Sequence, residues 1–451
     1  MKLRKNDALR WAEWYAATLF LVYAVLLFVH TAAPSLTDYA NWTYQGVLFH
    51  RHLLGLPDAA HPLKLYPVPN SASTIGIGFL CLLLPWKIAA KVWLCLQLLL
   101  SFVAIRHLLR TMETSAALWF IAPAALFLNM NFWYGFMNFE LGLCWLILIT
   151  SLLLQVDRYP GTSLKRESVF GLLLVLAFFT HMIPFAFACL LVILYCVQSR
   201  RYLLLYQIVP GAVLTLWYVL GRYLWSHDAD GHAGMVSTVR TFSGAFWAYK
   251  VNSYLKSFGF INPGSTSGSV DIAILGRGIF VMLFLVNLLL CVILAWYLVR
   301  AARAAFEARA PERFVWVAIV LMLPLYVLLP GSALGVSDPG SRILEVALAV
   351  AILMIRSYGI PLRVAAVCAT ILSVVGLFLF ARLVFTADVP ASAGRPLPHH
   401  MVIFGHVPHH DQDSFYTALK NGDMSLPVFP TGMFLNQKQE PSAPWLNGSS
   451  R

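Results

Sequence analysis

Apolar residues in this chain come in continuous runs separated by polar stretches, not in strand-like alternation. Crossing a bilayer core of roughly 30 Å at about 1.5 Å per residue takes about twenty residues. The pattern predicts an all-α polytopic membrane protein with about eleven transmembrane helices, and argues against a barrel, whose strands alternate. A first span is placed at about 12–32, followed by a polar segment over 33–72. Within that segment, 41–54 reads as an interfacial amphipathic helix with Trp42, Leu48, Leu53 and Leu54 opposite His50, Arg51 and His52.

Two later runs have awkward lengths. The stretch 73–110 is too long for one straight span and short for two, and Pro85-Trp86-Lys87 interrupts it. A short or re-entrant helix over 73–86 and a full span over 88–108 are expected. A hairpin, 115–130 and 137–156, follows. The run 168–198 is broken at His181-Met182-Ile183-Pro184, where the proline removes a backbone donor and favours a helix start. Span 202–225 then leads to a polar loop over 226–272, and spans 273–299, 314–331, 342–357 and 362–386 complete the set. This divides the chain into a transmembrane domain, 1–386, and a non-cytoplasmic C-terminal extension, 387–451, expected on the periplasmic or extracellular side. The extension is rich in Pro, Gly and His with little apolar periodicity, so a loose, partly disordered cap is expected.

Composition agrees. Hydrophobic residues make up 59% of 451 positions and charged ones 12%, whereas soluble domains sit near half and a quarter. The formal net charge is +12, and the basic residues cluster at span ends, which indicates topology and headgroup contact, not nucleic-acid binding. Lys2, Arg4, Lys5 and Arg10 place the N-terminus in the cytoplasm, ahead of an uncleaved first span. Arg106, Arg110, Arg158, Lys165, Arg166, Arg200, Arg201, Arg300, Arg303, Arg309, Arg313, Arg356 and Arg363 then fall on the same side. Arg51, Lys64, the 222–256 loop and Arg342 fall outside, against the rule, and are candidates for holding an anionic substrate. All seven cysteines lie in apolar runs, so neither a disulfide nor a metal cluster is expected. The P-loop, nucleophile-elbow and HExxH patterns are absent.

Candidate chemistry gathers at the outer ends of spans. Asp38 sits just beyond the first span, where a carboxylate can act as general base or metal ligand. The loop after it carries Asn41, Tyr44, His50, Arg51, His52, Asp58, His61, Lys64 and Tyr66. Its histidines lack zinc-site spacing, and Arg51 and Lys64 suit phosphate. Glu140 lies within a span, where an ionisable group costs about 3 kcal/mol and usually faces a cavity or partner, with Asn129, Asn131 and Asn138 near it in sequence. His181 and Arg342 each stand at an outer helix entrance, Arg342 with Asp338 and Glu345 as its nearest acids.

The segments LTDYANWTYQG, YPVPN, LLLPW, NFWYGFMNFELGLCWLILI and FFTHMIPFAFACLLVILY, all within about 1–200, resemble a group of bacterial multispan proteins. That group is related to the GT-C superfamily of polyprenyl-phosphate-sugar-dependent glycosyltransferases. The resemblance implies a bacterial inner-membrane location and a lipid-linked sugar donor. It implies an envelope glycan or lipid acceptor and an inverting transfer on the non-cytoplasmic face. The acid of the first outer loop, here Asp38, would act as general base or metal ligand, and the resemblance admits a divalent cation, Mg or Mn, without requiring one. Asp38 stands alone, with no Asp-Asp, Asp-x-Asp or Glu-x-Asp pair. A leaving lipid phosphate needs positive charge, for which Arg51, Lys64, His181 and Arg342 are candidates. Asn41, Tyr66, Asn138 and Glu140 are candidates for lining the acceptor cavity. A transporter or flippase of lipid-linked sugars, and a non-catalytic component of polysaccharide assembly, remain the alternatives. The absence of a convincing internal repeat weighs against the transporter.

Overall fold

The apolar runs form helices whose starts are set by prolines and polar residues. The computed structural model describes residues 2–29, 36, 38–129, 131–132, 135–156, 164–225, 243–256, 277–308, 310–329, 332–333, 336–337, 339–356, 359–386, 410–426, 428 and 432–434. The first helices are α1 (Lys2–Val29), α2 (Tyr39–Leu53), α3 (Ala72–Cys81) and α4 (Trp86–Met112). Next, α5 (Ala116–Ala122) runs into a π-helical turn, Pro123–Phe127. Then come α6 (Met137–Val156), α7 (Leu164–Thr180) and α8 (Met182–Ser199). A 3₁₀ segment, Tyr202–Ile208, precedes α9 (Val209–Trp225), and α10 is Gly244–Lys256. The helices α11 (Arg277–Glu307), α12 (Arg313–Leu328), α13 (Pro339–Leu353), α14 (Ile360–Thr386) and α15 (His410–Asn421) complete the described part. A two-residue antiparallel ladder, β1 (Ser332–Ala333) with β2 (Val336–Ser337), links α12 to α13. Among the described residues seven helices are long and apolar enough to cross a membrane, and four shorter apolar helices accompany them. The chain is a helical, multi-pass membrane protein.

Both breaks read from the sequence are present. Pro85 is extended (φ −55°, ψ 142°) and α4 starts at the next residue. His181 is also extended (φ −163°, ψ 134°), and its ring accepts the Ile183 N–H, capping α8. Pro184, in the first turn of α8, needs no intrahelical donor there.

The central helix is α13. Every residue from Val346 to Leu353 is buried, as expected for a helix apolar all round. It packs against α4, α5, α6, α8, α10 and α12. Around it, α4 and α6 share a polar seam. Gln97 bonds Glu140, Ser101 meets Cys144, His107 meets Ser151, and Gln155 bonds Thr111, at sequence separations of 43, 43, 44 and 44 residues. A nearly constant separation means that the two helices run parallel and in register. Such bonds hold membrane helices together at about 0.6 kcal/mol each.

The bundle has two unlike ends. At one, Arg106 and Arg110 bind Glu13, Arg356 faces Glu312 at 3.4 Å, and Gln198 and Arg201 bond the Pro311 and Val156 carbonyls. At the other stand the N-termini of α2, α6, α8 and α13, bearing Asp38, Asn138, His181 and Arg342.

Two sequence expectations change. The 41–54 stretch is helical, but α2 does not split into an apolar and a solvated face: Tyr39 through Leu48 are all buried, including Trp42 on the expected apolar face and Asn41, Thr43 and Gln45. Leu53 and Leu54, from the same expected face, are exposed. The reason is cover from both sides. On one side α3 approaches so closely that a Cβ on Gly46 would lie 2.6 Å from Ile77. On the other lies the C-terminal extension, which is not uniformly loose: Phe415, Ala418 and Leu419 of α15 bury against Ala40, Tyr44, Val47 and Leu48. Residues 387–409 and 435–451 of that extension, and 226–242 and 257–272 of the polar loop after α9, lie outside the described residues.

Candidate functional site

Asp38 immediately precedes α2 and its backbone carbonyl accepts the Trp42 N–H at 3.3 Å. Its side chain does not cap the helix, which leaves the half-buried carboxylate for other work. Burial pushes this carboxyl from its ordinary 3.8 up to about 7, against the opposing pull of the Arg342 guanidinium. Beneath it runs the Gly135–Phe139 segment. Gly135 adopts φ +71°, and a Cβ there would lie 2.7 Å from the Tyr39 nitrogen and 3.0 Å from the Asp38 nitrogen. Glycine is required on both counts: the left-handed backbone and the close approach.

Arg342 stands in the first turn of α13. Its guanidinium lies 4.3 Å from the Phe136 ring centroid and 5.6 Å from that of Phe139, an arrangement the planar, weakly hydrated group favours. Its Nη1 is 3.3 Å from His181 Nε2, and the His181 ring meets Phe139 edge-on at 5.2 Å. Because His181 Nδ1 accepts the Ile183 N–H at 3.2 Å, the neutral ring carries its proton on Nε2. Two donors then face each other across 3.3 Å. An anionic oxygen to one side of that line, about 2.8 Å from each nitrogen, would accept from both. The four helix N-termini at this end add positive potential of the same sign.

The remaining candidates divide. Asn138, beside Phe139, donates to the Asn70 carbonyl at 2.9 Å and accepts the Ser73 N–H at 2.8 Å. It fixes the left-handed Asn70 turn (φ +72°) beside the site. Asn41 lies one turn into α2, its Oδ1 accepting from Gln45 at 2.6 Å. Tyr66 is buried against Tyr218 and Gly221 of α9. Glu140 turns inward to α4, where Gln97 donates to it at 2.8 Å. Arg51 stands apart from Asp38. Arg51 is thirteen residues along α2 from it, about 20 Å at about 1.5 Å per residue. Lys64 donates to the Gly432 carbonyl at 2.9 Å, within the contact made by the C-terminal extension. Of the four candidates the sequence offers for the leaving phosphate, Arg342 lies within electrostatic reach of Asp38 and 3.3 Å from His181.

Sequence reasoning passed over Gln97, a lone amide within an apolar run, which is signal enough to single it out. It also passed over Gly135, whose signal is only the turn before ELGLCW. Among the described residues no group of three or more His, Cys, Asp or Glu is gathered to hold a metal, so nothing in the donor set around Asp38 points to a bound cation there. No family model matches this chain, and no curated protein or solved structure matches it either.

Proposed function

We propose that the protein is a GT-C-like glycosyltransferase of a bacterial inner membrane, moving a sugar from a polyprenyl-phosphate carrier to an envelope glycan or lipid acceptor on the non-cytoplasmic face. In this reading the N-terminus is cytoplasmic and the shorter apolar helices join the seven long ones to give about eleven spans. The observation supporting it is the meeting of Asp38, His181 and Arg342 at the end of the bundle opposite the paired arginines. Arg342 and His181 Nε2–H bind the phosphate oxygens of the donor and hold the charge that grows as the phosphate leaves. Asp38 takes the proton of the acceptor hydroxyl as that oxygen attacks the anomeric carbon from the opposite face, inverting it. A carboxyl poised near 7 is matched to that role at neutral pH. Apolar side chains of α9 that remain exposed, among them Val213, Leu216, Trp217 and Leu220, offer a surface for the lipid chain.

The test is a transfer assay in membranes with a panel of polyprenyl-phosphate sugars, comparing wild type with Asp38→Asn and Arg342→Gln. Transfer by the wild type that both variants lose, at equal protein level, is the expected result. Equal transfer by Asp38→Asn sinks the role given to Asp38.

A further inference from the structure

One residue beyond Phe139, whose ring Arg342 overlies, the bundle holds acidic and amide oxygens that the proposed reaction does not use. Glu140 is 1% exposed and Gln97 2%. Gln97 Nε2 donates to Glu140 Oε2 at 2.8 Å, so the amide and the carboxylate face each other across the α4–α6 seam. The other oxygen of each, Glu140 Oε1 and Gln97 Oε1, is buried with no hydrogen-bond partner. A buried acceptor left without a donor costs about 1–3 kcal/mol, and more when charged. Here two of them occur on one contact, and both are oxygens.

A third oxygen-bearing group lies close by. Glu345, one turn along α13 from Arg342, is the charged group whose field reaches Glu140. One of its oxygens accepts from Asn131 at 2.8 Å. Among the described residues no imidazole or thiol donates to the two free oxygens, and Cys144 on the same seam is engaged with Ser101.

We infer that Gln97 and Glu140, with Glu345 beside them, form a binding site for one small monovalent cation, sodium in kind, between α4, α6 and α13. An all-oxygen donor set selects hard cations over transition metals. A divalent ion calls for six or more oxygens with several carboxylates, and no group of three acidic, His or Cys side chains is gathered among the described residues. A single positive charge answers the one carboxylate oxygen that lacks a donor. This inference stands apart from the glycosyl-transfer reading, since it uses neither Asp38 nor any sugar. It carries a consequence for the neighbouring centre all the same. A cation held here offsets the negative field of Glu140 and Glu345 one turn from Arg342, so cation and anion sites should strengthen each other reciprocally.

The experiment is thermal unfolding of the purified full-length protein in detergent, followed by tryptophan fluorescence, in sodium, potassium, magnesium or choline chloride at equal ionic strength and at several pH values. Sodium should raise the Tm saturably over choline, with potassium and magnesium weaker, and the half-effect concentration of sodium should rise as pH falls because protons compete. Glu140→Gln, nearly isosteric, should abolish the sodium response while keeping the Tm in choline at least as high as that of the wild type. Gln97→Leu, which leaves the carboxylate, should shift the half-effect concentration upward, and it serves as the second variant if Glu140→Gln does not fold. A wild-type Tm identical in sodium and choline overturns the proposal. So does a response to magnesium alone, or a pH-dependent Tm in choline that sodium does not alter and Glu140→Gln removes, which would mean that a proton fills the gap.

Discussion

The two ends of the bundle use charge in opposite ways. At the arginine end, Arg106 and Arg110 reach Glu13 at 2.6 and 2.7 Å with 44% and 55% of their side chains exposed. Both arginines have Glu13 as an opposite partner and water nearby, and such pairs contribute about 0–1 kcal/mol. At the Asp38 end, Arg342 lies over two phenylalanine rings, faces a histidine donor, and acts on a carboxyl that burial holds near 7. A fold gains little stability from that arrangement. Perturbing titratable groups by burial and by a charged neighbour is what binding and catalysis use. The difference teaches that span-end charge in this protein has two meanings: paired and wet, it orients the bundle; stacked and half-buried, it marks the site.

The sharpest way to break this contrast is at Asp38. Asp38→Asn should lower transfer by about 10²–10⁴-fold, the range of a lost general base, with the helical circular dichroism unchanged. In the wild type, transfer should rise with pH through about 7 as Asp38 ionises, and the variant should lose that limb. Stability should move the other way. Because the folded carboxyl holds its proton more tightly than the ordinary value of 3.8, the folded state binds more protons between that value and about 7. Its stability should therefore fall as pH rises across that window, and should level off on either side. Urea or thermal midpoints of wild type against Asp38→Asn measure the slope, which should flatten in the variant.

Arg342→Gln should cost about 10²-fold in transfer, as removal of one oxyanion donor does. Arg342→Lys should recover only part of it, because a point charge reproduces neither the stacking nor the fork; initial rates with limiting donor read both. Gly135→Ala should destabilise by about 1–2 kcal/mol through its left-handed backbone, and should also lower transfer by displacing the Asp38 backbone it touches. A Tm drop with full activity would show that the two segments are not coupled. At the far end, Glu13→Gln should change stability by no more than about 1 kcal/mol and leave transfer intact. A loss at Glu13 comparable to that at Arg342 would erase the distinction between the ends.

The fold was legible where physics is local. Continuous apolar runs have one stable form in a bilayer, so helices and their approximate limits follow from the sequence. Pro85 and Pro184 acted as expected because the missing N–H and the ring constraint operate within one turn. The site was legible only in part. Asp38, His181 and Arg342 stood out as polar groups at helix ends, yet they are separated by more than a hundred residues, and nothing in the periodicity says which ends meet. Arg51 shows the converse: it is near Asp38 in sequence, but a rigid α2 carries it about 20 Å away. The buried character of α2 was illegible for the same reason, since its cover comes from α3 and from α15 at the other end of the chain.

By itself, the sequence determined a helical membrane protein, the positions of its two breaks, and the segregation of basic residues, because hydrophobicity, proline geometry and charge each act on a residue and its immediate neighbours. Only the tertiary structure decided that α4 and α6 run parallel with a polar seam between them. Only it brought the N-termini of α2, α6, α8 and α13 together around Arg342 and left Gln97 and Glu140 facing each other with an oxygen apiece unanswered. Those are pairings between distant segments, set by which helix faces fill space best against one another, and no one-dimensional pattern carries that information.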